Sequence, residues 1–224
     1  MTTVLGILAK PALVPWAAKM TATLAVDSLD ALVGMSREDA IDFLKGAPHR
    51  DRSRAAARGT DVHRHAEALV RGHADDVPAE LMPYVESCAR FMDRWQITEV
   101  LVEQPVFSRM FGYAGEPDLF AWSDRYDEMW LLDYKTGSGI YAETSLQLTA
   151  YKAAEFFVDV DGDEHPLPEV VGAAAVHLRP DGYAVRPVEI GATQLDCFLS
   201  LLNAFRRWTD HDLWILPERE DSDA

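Results

Sequence analysis

The segment GEPDLFAWSDRYDEMWLLDYKTG, Gly115 to Gly137, puts Asp118, Asp133 and Lys135 on two apolar β-type runs joined by the polar turn SDRYDE. Side chains alternate across a strand, so Asp133 and Lys135 share one face while Leu132 and Tyr134 share the other. A solvent-exposed Asp133–Lys135 pair would contribute only about 0–1 kcal/mol. WLLDYK, however, reads as a largely apolar central strand, where ionised groups are costly unless paired or metal-bound. Gly115 and Pro117 predict a kink just before Asp118. If the two strands are neighbours, Asp118 and Asp133 converge. Carboxylates about 4 Å apart repel by roughly 4 kcal/mol at an effective dielectric of about 20, and a shared cation removes that cost. A hard, oxygen-seeking ion such as Mg²⁺ or Mn²⁺ suits the donor set, held beside a phosphodiester.

The first third of the chain is expected to be helical. Apolar residues recur at helical spacing from Leu13 to Leu32, and Ser36 with Asp39 makes a capping-box-like start for a helix ending near Gly46. A third helix is expected over Arg52 to Arg71, broken or bent near Gly59, and a fourth over Pro83 to Trp95, where the proline suits a first turn. Three strands follow, Ile97 to Phe107, Gly112 to Trp122 and Met129 to Thr136, read as a meander. Tyr141 to Val158 returns to helical periodicity, with Leu146, Thr149, Ala150, Ala153 and Phe157 along one side. Val170 to Leu178 and Tyr183 to Ile190 are two further strands around a Pro-Asp-Gly turn, and Thr193 with Asp196 opens a last helix. This order predicts an α/β fold, a mixed central sheet flanked by helices with an N-terminal helical extension. At 224 residues one domain is expected over 1–216, mainly helical over 1–96, with the sheet core over 97–190, a C-terminal helix over 191–216 and an acidic tail over 217–224.

With 48% hydrophobic and 26% charged residues the composition is that of an ordinary globule. The run VLGILAKPALVPWAAKM is interrupted by Lys10, Pro11 and Pro15 and has no basic residue before it, so it does not read as a signal peptide. No stretch reads as membrane-spanning, and a cytoplasmic location is expected. Cys88 and Cys197 lack the spacing of a cluster or zinc site, so inert thiols and no iron-sulfur cluster are expected. A net charge of −16 argues against non-specific coating of nucleic acid, which depends on Lys and Arg contacts to phosphate. Positive charge is local: Arg50, Arg52, Arg54, Arg58, Arg64 and Arg71 fall within 22 residues holding three acids, a substrate-facing strip or a solvated helix face. Glu103 is either a second acid of the site or an exposed strand charge. DVDGDE, Asp159 to Glu164, lacks the spacing of a calcium loop and reads as a solvated turn. No phosphate-binding GxxxxGK[ST] loop is present, so any unwinding falls to a partner.

Taken in order, Asp118, then Asp133-Tyr134-Lys135, then Gln147 and Tyr151 resemble the signature of the PD-(D/E)XK nucleases in its RecB-like form. Gly59-Thr60-Asp61-Val62-His63, with Glu67 one turn on, is similar to the GTxxH segment of that branch. The resemblance spans roughly Gly59 to Tyr151 and implies a restriction-endonuclease-like core. It implies that His63, Asp118, Asp133 and the Tyr134 carbonyl ligate Mg²⁺ or Mn²⁺, with His63 preferred over His65. Lys135 would orient the attacking water and stabilise charge on the phosphorane. Gln147 and Tyr151, at i and i+4, would support the metal site or the DNA backbone, with Glu67, Glu103, Arg58 and Arg64 as further supporting positions. CRISPR-associated RecB-like exonucleases typically add cluster-binding cysteines, and this chain departs from them there. The N-terminal helices would then clamp DNA or complete the core. The implied activity is a metal-dependent DNA exonuclease of recombination, repair or replication, acting with a helicase, recombinase or single-strand-annealing partner or as a homo-oligomer. The alternatives are a non-catalytic DNA-end-binding accessory on the same scaffold and an endonuclease of the same fold.

Overall fold

Leu119, Leu132, Tyr134 and Val176 alternate with Phe120, Leu131 and Ala173 on adjacent strands, and both sets are buried, so the central sheet must be covered on both faces. The structure, a computed structural model, describes residues 2–73 and 76–209. Its elements are α1 (Thr2–Leu5), α2 (Leu13–Asp27), α3 (Leu29–Val33), α4 (Arg37–Lys45), α5 (Ala47–Val70) and α6 (Met82–Trp95). These are followed by β1 (Ile97–Val102), β2 (Val106–Ser108), β3 (Tyr113–Gly115), β4 (Leu119–Ser123), β5 (Glu128–Lys135) and α7 (Glu143–Lys152). The chain continues through β6 (Phe156–Val158), β7 (Glu164–Pro166), β8 (Gly172–Arg179), β9 (Gly182–Val188) and α8 (Ala192–Thr209). Positions 210–216 of the expected last helix and the tail 217–224 lie outside the described residues.

The central sheet has the order β1-β4-β5-β8-β9; β5 and β8 run parallel and the other pairs antiparallel. The fold is therefore mixed α/β with a mixed central sheet flanked by helices. Val62 and Ala66 of α5 and Cys88 and Phe91 of α6 pack on one face. Leu148 and Tyr151 of α7 pack on the other. Beyond α7, Ala150 meets Phe198 and Leu202 of α8, Tyr113, and Val4 and Leu5 of α1. Helices α2 to α4 bury no residue completely, so this part of the extension does not complete the core.

Ser36 caps α4, its Oγ accepting the Asp39 N–H at 3.1 Å, and Pro83 lies in the first turn of α6. Four boundaries differ from expectation. The run 97–107 divides at Glu103, whose φ of +48° turns the chain left-handed, and its second half joins another sheet, ordered β3-β2-β6-β7. The run 112–122 divides at Glu116-Pro117-Asp118, where the proline cannot donate to a ladder. Helix α5 passes through Gly59 without a break and begins at Ala47, because one glycine costs a helix only about 1 kcal/mol and tertiary packing outweighs it. The helical run 141–158 stops at Lys152, since Phe156 and Phe157 pair with Phe107 and Val106 of β2. Asp159 organises the β6–β7 turn by accepting the N–H groups of Asp161 and Asp163 on Oδ1.

Candidate active site

Register brings the acids together. Leu119 of β4 pairs with Leu132 of β5 and with Val102 of β1, so the next positions, Asp118, Asp133 and Glu103, gather where β1 and β5 end and β4 begins. The kink at Pro117 frees the Asp118 side chain from regular pairing, and its Oδ2 accepts the Tyr134 N–H at 2.6 Å. Asp133 faces α7 rather than α5 and α6: Gln147 Nε2 donates to its Oδ1 at 3.3 Å and to the Tyr151 hydroxyl at 3.0 Å. Lys135 Nζ lies 2.5 Å from Asp133 Oδ2. That oxygen is sealed from solvent and no hydrogen bond of acceptable geometry reaches it, although the ammonium is in ion-pair range.

From the other side α5 delivers His63, whose Nδ1 stands 3.4 Å from Asp118 Oδ1 and whose ring meets Tyr134 edge-on at 6.0 Å. That helix passes the end of β5 at Gly59, where a Cβ would lie 3.5 Å from Thr136 Oγ1, an ordinary van der Waals contact. His65, two residues on, is buried, with Nε2 3.1 Å from Nη2 of Arg64. Arg58 lies over the Tyr84 ring, 5.8 Å from its centroid. Glu67 pairs with Arg71 at 2.7 Å, and that arginine also donates to the Val102 carbonyl at 3.3 Å. Glu103, half-buried and just past the end of β1, lies within the field of Glu67 and Asp118, which makes it an acid of this cluster rather than an exposed strand charge. Tyr134 contributes backbone here, because its ring is buried in the α5–α6 core.

The electrostatics follow from this crowding. Burial first, then the Asp118 charge, pushes the Asp133 carboxyl up to about 6, against the pull of Lys135 and His63. Burial and the neighbouring Glu67 and Asp118 push Glu103 up to about 7. Burial disfavours charge on His63, but the Asp118 hydrogen bond and the two aspartate charges outweigh it and raise its pKa. Cys88, pushed up to about 12 by burial, is an inert core thiol, while Cys197 is exposed.

The donor set matches a hard divalent cation in kind: carboxylate oxygens, an imidazole nitrogen and a buried aspartate oxygen without a hydrogen bond. Among the described residues, no group of three or more His, Cys, Asp or Glu side chains is placed to hold a metal ion, and Asp133 is turned towards Lys135 and Gln147. Sequence reasoning passed over Glu116, whose charge acts on both Glu103 and Tyr151 and which stands within the GEPD segment itself. It also missed Lys10, which pairs with Glu143 at 3.0 Å and lines a cavity of about 210 Å³ together with Lys135 and Gln147. Nothing local to Lys10 signals a partner 133 positions away.

In sequence comparisons no protein-family model and no curated protein matches the chain. No helix among the described residues is long and apolar enough to cross a membrane.

Proposed function

We propose that this chain is a Mg²⁺- or Mn²⁺-dependent deoxyribonuclease with a restriction-endonuclease-like core, hydrolysing DNA phosphodiesters from a free end. The observation that carries the reading is the register that sets Asp118 and Asp133 at neighbouring positions of adjacent strand ends, with Lys135 ion-paired to the buried Asp133 Oδ2. His63, Asp118, Asp133 and the Tyr134 carbonyl would hold the cation. Bound there, it would polarise the phosphoryl group and acidify water. Lys135 orients the water whose oxygen attacks phosphorus in line, and its ammonium offsets the negative charge that develops as the P–O3′ bond breaks to leave a 5′-phosphate. Asp133 positions Lys135 through the ion pair, and Gln147, braced by Tyr151, fixes the Asp133 carboxylate. The acidic surface favours an end delivered by a helicase, recombinase or annealing partner, or by a homo-oligomer.

The test is digestion of end-labelled single- and double-stranded DNA with Mg²⁺ or Mn²⁺. Chelation, Lys135→Ala and Asp118→Ala are each expected to reduce cleavage by about a hundredfold or more with the fold intact by circular dichroism. Full activity in those variants removes the site. DNA bound but never cut in Mn²⁺ would make the chain a non-catalytic end-binding module, and cutting of covalently closed circles would make it an endonuclease.

A further inference from the structure

The sheet face that bears Asp133 and Lys135 continues beyond them onto β8 and β9. Lys135 pairs with His177, and Asp133 pairs with Ala175, which pairs in turn with Arg186. Alternation therefore puts His177, Arg179 and Arg186 on the same side of the sheet as the two site residues. Arg186 is two strands from Asp133, about 10 Å at the usual strand spacing. Roughly three nucleotides of a stacked strand span that distance.

His177 and the two arginines line an open cavity of about 610 Å³, and no carboxylate lines it. The one acid paired to them, Asp181, meets Arg179 Nε at 3.2 Å from a side chain left 80% exposed. The opposite wall is the loop from Ser138 to Ala142 that links β5 to α7. Tyr141 and Gly139 of that loop line both this cavity and the smaller one that holds Lys135 and Gln147, so a single loop walls the two neighbouring cavities. Tyr141 is 59% exposed, too open for a core residue, yet its hydroxyl is hydrogen-bonded to Ser138 Oγ at 3.2 Å and its ring lies against Gly139. An exposed, oriented aromatic beside two arginines, in a cavity that no carboxylate lines, is a local exception in a chain with 37 acids and 21 Lys and Arg. A cavity of this size admits roughly one or two nucleotides of one strand, not a duplex.

We infer that this second cavity binds one strand of DNA adjoining the catalytic pocket, with Arg179 and Arg186 on its phosphates and Tyr141 stacked on a base. The inference deepens the nuclease reading by assigning the strand's path, and its role in cleavage rests on that reading. It is tested by fluorescence anisotropy of a 5′-labelled oligodeoxythymidine in Ca²⁺, with Mn²⁺ cleavage measured alongside. Arg179→Glu with Arg186→Glu is expected to weaken binding about tenfold or more and to reduce the log–log salt slope by about 1.4, two single-strand phosphate contacts. Tyr141→Ala is expected to weaken it roughly five- to a hundredfold. Arg94→Glu with Arg125→Glu, at the end of α6 and in the β4–β5 turn, where α6 covers the sheet face opposite the cavity, applies the same charge change and is expected to shift binding less than about twofold. Wild-type affinity in the cavity variants, an equal loss in the distal pair, or no binding by the wild-type chain overturns the inference. Binding that follows the expected pattern without any cleavage removes the nuclease reading and leaves the strand site standing; cleavage with the pattern absent does the reverse.

Discussion

Asp133 is held where its charge is least welcome. Burial and Asp118 raise its pKa to about 6 and Glu103 reaches about 7, so across roughly pH 4 to 7 the folded chain binds these protons more tightly than the unfolded chain. Stability therefore falls as pH rises through that window. His63 acts in the same direction, since its raised pKa gives a contribution that is full below about 6.5 and lost above its folded pKa. In chelator, the melting temperature is expected to drop between pH 5 and pH 7.5; a rise would show that the two carboxyls are not protonated in the folded chain. Cation binding should run the opposite way, strengthening with rising pH, because the metal takes the ionised Asp133 carboxylate and competes with its proton. Asp133→Asn removes the buried charge and is expected to stabilise the fold by on the order of 1–3 kcal/mol in urea unfolding while abolishing cleavage. Loss of stability in that variant would mean that the Lys135 pairing outweighs the desolvation of the carboxylate.

At the scale of elements, the site depends on three strand ends and two helices arriving at one place. Strand β4 starts where Pro117 releases it, β5 carries the acid and lysine to its last turn of pleat, and α5 runs past both. Gly59 sits inside that helix, where its extra backbone freedom costs about 1 kcal/mol relative to alanine. A Cβ there would make only ordinary contact with Thr136. Gly59→Ala is accordingly expected to stabilise the protein by about 0.5–1 kcal/mol, measured by the denaturation midpoint at constant slope. Destabilisation would mean that α5 is displaced and that the approach to β5 is tighter than van der Waals contact. The extension behaves differently from the core: Val14, Val26 and Val33 remain 76%, 68% and 89% exposed, so α2 and α3 hold their place by few buried contacts and should show the earliest hydrogen exchange among the helices.

For the molecule as a whole, a charge of −16 opposes approach to a polyanion, whatever the local cations do once contact is made. Added salt screens that repulsion over a Debye length of about 8–10 Å near physiological strength, while weakening each phosphate contact after docking. Stopped-flow association with single-stranded DNA is therefore expected to accelerate between low and physiological salt as dissociation also accelerates. Basic DNA-binding proteins are slowed under the same change. Slower association in salt here would mean that the arginines of α5 or of the β8–β9 cavity dominate the long-range field.

The sequence by itself determined the kind of chemistry and part of its address. Strand alternation alone put Asp133 and Lys135 on one face, Pro117 marked the kink before Asp118, and short-range rules placed the Ser36 cap and the start of α6. These are local consequences of backbone period and of the missing proline N–H, so no distant contact could alter them. Only the tertiary structure decided which groups surround that pair. It split both long β-runs to build a second sheet, turned the end of the expected 141–158 helix into a strand against β2, drew Glu103 to Glu67, and paired Lys10 with Glu143 at the cavity that Lys135 also lines. It also set His177 and Arg186 in register with the site. Each of these depends on pairing between segments far apart in the chain, where burial of both faces and ladder hydrogen bonding override local propensity, and a sequence read window by window contains no record of its partner.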